Sequence, residues 1–95
     1  MDTTTHIAIF KGKQIRKILL QNEWWFSVVD VVAALTDSDR PSVYWTAMKA
    51  RVNDEGSFEL STICRQLKLL ALDGKMRETD CANTEGMFRI VQSIP

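Results

Sequence analysis

Trp24-Trp25-Phe26-Ser27-Val28-Val29-Asp30-Val31-Val32-Ala33-Ala34-Leu35 is the stretch that decides the fold. Three adjacent aromatics lead into an apolar run whose only charge is Asp30. Removing so much apolar surface from water drives the run inward, and it marks the centre of a small core. Its aromatic half suits a strand. From Ser27 onward it suits a helix reaching about Thr36, because a serine hydroxyl can accept a first-turn N–H. Val28, Val29, Val31, Val32 and Leu35 make that helix apolar on nearly every side, as expected of a helix buried against a sheet. Neighbours on a strand point to opposite faces, so Trp24 and Trp25 cannot both enter the same side. One is inward; Trp24 is the candidate anchor for a protein partner or a second copy.

Upstream, Ile7-Ala8-Ile9-Phe10 reads as a first strand and Ile15 to Leu20 as its partner. Lys11-Gly12-Lys13-Gln14 is the turn between them, with Gly12 available for a positive φ. Gln21-Asn22-Glu23 punctuates before Trp24, and connections this short give an antiparallel meander. Downstream, Thr36 to Arg40 is a polar loop. Pro41 suits the first turn of a second helix, where its missing N–H costs nothing. That helix runs to Val52 or Asn53 with Trp45, Met48 and Val52 facing the core, although Arg40 is a poor cap. Leu60 to Arg65 reads as a further helical turn capped by Ser61. Leu67 to Leu72, Asp73-Gly74 and Lys75 to Thr79 read as a hairpin with a type I′ turn. A last helix over residues 83–93 places Met87, Phe88, Val91 and Ile94 on one side. The fold class is therefore α+β, with antiparallel β-hairpins or a meander packed against about three α-helices.

Ninety-five residues suit one domain spanning 1–95, with residues 1–5 expected to be disordered. No apolar stretch reaches the roughly 20 residues needed to span a bilayer, and the N-terminus lacks a signal peptide's basic and apolar regions. A cytoplasmic location is the expectation. Cys64 and Cys81 belong to no CxxC or Cys/His cluster, so neither a metal site nor a cofactor is expected and the thiols read as structural. Catalysis finds little support. His6, in a terminus expected to fray, is the sole histidine, no phosphate-binding glycine loop occurs, and Asp30 is a lone buried carboxylate.

Three separated motifs resemble the N-terminal domain of the BRO family (Bro-N) of viral and prophage antirepressor proteins. They are Trp25-Phe26 through Asp30-Val31, then Tyr44-Trp45, then Thr84-Glu85-Gly86-Met87-Phe88-Arg89. The likeness runs from about Ile7 to Pro95. It implies double-stranded DNA binding, or antirepression, in the cytoplasm of a bacterium or phage-infected cell. Family members often carry Asn before the proline that here follows Arg40. Their N-terminal domain usually continues past Gln92 to Pro95, with a variable region beyond, so the chain is expected to be a truncated domain.

Twelve basic residues balance twelve acidic ones, which is poor support for a protein that simply coats nucleic acid. The order of the charges is more telling, because they alternate in blocks. Lys11, Lys13, Arg16 and Lys17 against Asp2 give +3 over residues 1–20, and Glu23, Asp30, Asp37 and Asp39 give −4 over residues 21–39. Such blocks can gather on one face if the fold joins them; a mixed, soluble surface accounts for them equally well. Two candidate DNA surfaces follow. On the second helix Ser42, Thr46, Lys49 and Asn53 recur as a polar stripe flanked by Arg40 and Arg51. On the hairpins, Lys11, Lys13 and Lys17, with Lys68, Lys75 and Arg77, form a basic ribbon. Lysine on exposed strands also serves to block edge pairing, and any surface helix needs a polar face. The five-residue loop Thr36 to Arg40 is longer than a helix-turn-helix usually has. The competing class is a protein–protein module that captures a phage repressor protein or forms a homo-oligomer without touching DNA. Neutral charge, three Trp and four Met suit that class.

Overall fold

A computed structural model describes residues 4–55 and 63–94; of residues 52–55 only the helical backbone is described. The expected side-chain positions of Val52 and Asn53, and Leu60 with Ser61, lie outside the described residues. Among the described residues the chain forms strands β1 (His6–Phe10), β2 (Lys13–Leu20) and β3 (Glu23–Ser27). Helices α1 (Val28–Thr36) and α2 (Pro41–Glu55) follow, then β4 (Cys64–Leu70), β5 (Met76–Asn83) and helix α3 (Thr84–Gln92). The strands make one antiparallel sheet in the order β1-β2-β3-β5-β4. This is the α+β architecture expected, with the C-terminal hairpin returning beside β3.

Turn chemistry sets the registers. Lys11 (φ 53°) and Gly12 (φ 75°) form a two-residue connection with positive φ at both positions, and Phe10 pairs with Lys13. Gln21 (φ 51°) and Asn22 (φ 64°) repeat the device between β2 and β3. Paired positive φ values are the type I′ geometry that matches strand twist. The Asp73-Gly74 turn departs from expectation. Only Gly74 has positive φ (82°), and the loop closes through Gly74 N–H to Ala71 O at 3.0 Å and Ala71 N–H to Lys75 O at 2.9 Å. The connection is thus a three-residue loop with one left-handed glycine, and Asp73 accepts the Lys75 N–H at 3.1 Å and pairs with Arg77. Cys64 and Arg65, expected in a helical turn, are strand residues paired with Ala82 and Cys81. His6, expected to fray, opens β1 opposite Lys17.

Two apolar clusters hold the sheet from its two sides. The first joins Val28, Val32, Trp45, Met48, Ala82 and Ile90 beneath the helices. The second joins Ile18, Trp25, Leu69 and Cys81 on the opposite face, where the sheet curls on itself. Trp24 and Trp25 divide as alternation requires: Trp25 is buried in the second cluster, while Trp24 lies half-exposed on the other face. Helix α1 starts where Ser27 Oγ accepts the Asp30 N–H at 3.4 Å, and none of its residues is exposed. It ends at Asp37, whose left-handed backbone (φ 53°) returns an N–H to Ala33 O. The inward face of α3 is Gly86, Met87 and Ile90. Met87, Phe88 and Val91, expected on one side of this helix, all line the groove between α3 and β1, where Phe88 and Val91 are exposed.

Candidate nucleic-acid interface

Helix α2 is tied to the sheet through one carboxylate. Asp80 on β5 accepts Trp45 Nε1 at 2.8 Å and Lys49 Nζ at 2.9 Å, and Gln66 Nε2 reaches its other oxygen at 3.4 Å. Burial alone would raise the Asp80 pKa, but the bonds from Lys49 and Trp45 outweigh it and hold the carboxyl below its ordinary value. Lys49 Nζ also lies 5.3 Å from the Trp45 ring. Lys49 thus belongs to the inward side of α2 and leaves the stripe proposed from helical spacing. Sequence reasoning missed Asp80 because it lies 31 residues away, on a strand whose register spacing alone does not reveal.

Among the described side chains of α2, Ser42, Val43, Thr46, Ala47 and Ala50 form a shallow outward face of small groups. Thr46 Oγ1 donates to Ser42 O at 2.9 Å, so its donor is committed while its lone pairs still face solvent. Arg40 is exposed at the start of the helix, and exposed Arg51 donates to Ser93 O at 3.3 Å near its end. From Arg40 to Arg51 the chain contains no Asp or Glu. Ser38 Oγ accepts the Arg40 N–H at 3.1 Å and Tyr44 N–H bonds to Arg40 O, so the turn before Pro41 is held without an Asn cap. Four residues, 37–40, separate α1 from α2, one fewer than expected because Thr36 stays helical. Loop length therefore does not argue against a helix-turn-helix. The burial of α1 does: a helix with no exposed residue cannot lie across a DNA backbone.

The hairpin lysines and arginines do not converge. Lys13 Nζ turns to the C-terminal end of α1, donating to Ala33 O at 3.2 Å and Asp37 Oδ1 at 2.7 Å, where it complements the helix dipole. The same bond holds the Asp37 carboxyl below its ordinary range. Lys11 sits 5.7 Å from the Phe10 ring. Lys17 covers Trp24 at 4.1 Å while His6 meets that ring edge-on at 5.3 Å, so this candidate interface residue is partly sheltered from both sides. On the other hairpin Lys68 stands opposite Glu78 and Arg77 opposite Leu69. Adjacent register pairs face opposite ways, so Lys68 and Arg77 project from different faces. Arg77 is further paired with Asp73, which leaves exposed Lys75 alone near the tip. Two cations that the sequence reading left out are also exposed: Arg65, 5.4 Å from the Trp25 ring, and Arg89 on α3.

Arg16 and Asp30 form a forked ion pair that joins β2 to the first turn of α1. Burial pushes the Cys64 thiol up to about 11 and the Cys81 thiol up to about 12, the reverse of what a nucleophile needs. Among the described residues no group of three His, Cys, Asp or Glu could hold a metal ion, and no helix is long and apolar enough to cross a membrane.

Comparison with known families gives one match: residues 14–95 fit the family described as BRO family, N-terminal domain. No curated protein and no solved structure matches the chain.

Proposed function

The chain belongs to the BRO family through its N-terminal domain, and from that membership and its surface we propose that it is a non-enzymatic, DNA-binding transcriptional regulator of the prophage antirepressor type, working in the cytoplasm. The observation that carries the reading is the outer face of α2 between Arg40 and Arg51, a stretch without Asp or Glu. Ser42 and Thr46 stand exposed between Arg40 and Arg51, with only small side chains around them. Small hydroxyl side chains allow close approach to base edges or phosphates, and guanidinium groups at either end suit phosphate oxygens. Lys11 and Lys75 are the hairpin cations best placed to add phosphate contacts, since neither has a carboxylate partner among the described residues. Lys49 is a positioning residue that fixes α2 on the sheet.

Duplex binding by fluorescence anisotropy across a salt series tests this. The reading expects affinity to fall linearly on a log–log plot. Arg40→Ala with Arg51→Ala should reduce the slope by about 2, since each phosphate contact contributes about 0.9. A folded double variant with unchanged affinity and slope would remove α2 from the interface. No binding even at low salt would leave the second reading, capture of a repressor protein. That alternative is favoured by the exposed Ile9, Phe10, Phe88 and Val91.

A further inference from the structure

We propose that this domain pairs with a second copy of itself through the outer edge of β1, forming a two-fold dimer with a continuous antiparallel sheet. Strand β1 ends the sheet, and among the described residues no strand pairs with its outer side. Because Phe10 and Lys13 flank a two-residue turn, they form a hydrogen-bonded pair, as do Ala8 with Ile15 and His6 with Lys17 by alternation. Ile7 and Ile9 therefore aim their main-chain N–H and C=O groups away from β2, on an edge whose N-terminal end meets β4 where Thr5 Oγ1 accepts the Leu70 N–H at 3.0 Å. Those four groups are the docking element.

Three observations select a second copy as the occupant. First, the edge is self-complementary. Antiparallel pairing about a dyad at Ala8 sets Ile7 opposite Ile9 of the other copy and Ile9 opposite its Ile7. All four outward groups are then satisfied at once. Second, His6-Ile7-Ala8-Ile9-Phe10 holds no Lys, Arg, Asp, Glu or Pro, the residues that usually forbid edge pairing. The opposite edge, β4, carries Arg65 and Lys68 and is protected in the ordinary way. Third, the side chains are exposed where burial would be favourable: Ile7 is 48% exposed, Ile9 66% and Phe10 44%. Phe10 and Ile9 rim an open apolar groove of about 430 Å³, which runs back to Leu35, Phe88 and Val91. Pairing at β1 brings the grooves of the two copies side by side across the dyad, so one contact covers apolar surface on both. Each copy offers one such edge, so the assembly closes at two.

The test is the oligomeric state and its register. Ile9→Pro removes one outward donor without touching the bonds to β2, and Ile7→Lys adds charge to the edge. In sedimentation equilibrium the wild-type domain should be a dimer, and both variants should sediment as monomers with native circular dichroism. Ala8→Cys should cross-link to a covalent dimer under mild oxidation, because directly opposed non-hydrogen-bonded residues stand about 4.5 Å apart at Cα. Wild type, whose Cys64 and Cys81 are half-buried and buried, should not cross-link. A wild-type monomer at about 100 μM would overturn the proposal. So would open-ended polymers, or a dimer that survives Ile9→Pro but dissociates with Phe88→Ser. DNA binding by α2 stands or falls separately, since neither edge variant lies on that helix.

Discussion

Replacing Asp30 by alanine should remove about 3 kcal/mol of stability. Asp30 Oδ2 accepts the Arg16 main-chain N–H at 2.9 Å and Arg16 Nε at 2.8 Å, while Oδ1 accepts Nη2 at 3.1 Å. Arg16 Nη1 also donates to Leu70 O at 3.2 Å, so one guanidinium joins β2, α1 and the end of β4. Breaking a buried pair by deleting one partner costs about 3–5 kcal/mol. Here the two side chains keep 23% and 17% of their exposure, so water recovers part of that. The orphaned Arg16 N–H adds about 1–3 kcal/mol back, unless water reaches it. For a domain of this size each 1 kcal/mol moves the thermal midpoint by about 4–8 °C, so the variant should melt about 12–24 °C lower. Urea unfolding followed by tryptophan fluorescence measures the change, with an unaltered m-value. Arg16→Met in the same background should restore part of the loss, because a thioether needs no counter-charge. An Asp30→Ala variant within about 1 kcal/mol of wild type, or strict additivity of the two substitutions, would show that the bridge is solvated and refute the reasoning.

Two further outcomes follow from the geometry. The Asp80 carboxyl is held below its ordinary value in the fold, so its contribution is complete above the unfolded pKa of about 3.9 and is lost as pH falls through the lower folded value. The stability gap between wild type and Asp80→Asn should therefore narrow as urea melts are taken from pH 5 toward about pH 3, and a constant gap would contradict it. At Gly86, an added Cβ would stand 3.2 Å from Ala82 Cβ and Asn83 Oδ1 and 3.3 Å from Ile63 O. These neighbours would have to shift by a few tenths of an ångström, and two of them belong to β5 and to the main chain before β4. Crowding, and displacement of Asn83 Oδ1 from its 2.8 Å bond with the residue 86 N–H, should outweigh the roughly 1 kcal/mol that alanine offers a helix. Thermal melting of Gly86→Ala should show net destabilisation of about 1 kcal/mol, and a higher midpoint would reverse the assignment.

The elements legible in the sequence are those fixed by neighbouring residues. Ser27 announces α1, Gly12 a turn, Pro41 the start of α2, and strand alternation separates Trp24 from Trp25. What stayed hidden depends on partners far along the chain. Spacing put Lys49 on an outer stripe, but Asp80 draws it inward. Spacing also put Phe88 and Val91 on one side with Met87, but an apolar helix face does not disclose whether anything covers it. Asp73-Gly74 carries the strongest hairpin signature, yet Gln21-Asn22 adopts the geometry it advertises. The β2–β3 register forces that choice, whereas the longer β4–β5 loop leaves Asp73 free to bind Lys75 and Arg77. The charge blocks left a gathered and a mixed surface equally open, because pairing is invisible in the sequence: Asp37, Asp73 and Asp80 each take up a cation that the basic-patch reading had counted.

The ladder between β3 and β5 is short, with three register pairs from Trp25–Asn83 to Ser27–Cys81, against seven between β4 and β5. During vectorial synthesis the N-terminal meander can zip as soon as it leaves the ribosome, since all its pairings are local. The flank of β3 beside it stays bare until Cys81 to Asn83 have been made. Asn83 ends that ladder and also caps α3. The last seam of the sheet and the last helix therefore lock in one event, so a nascent chain stalled before residue 83 presents an open strand to any chaperone that reads one.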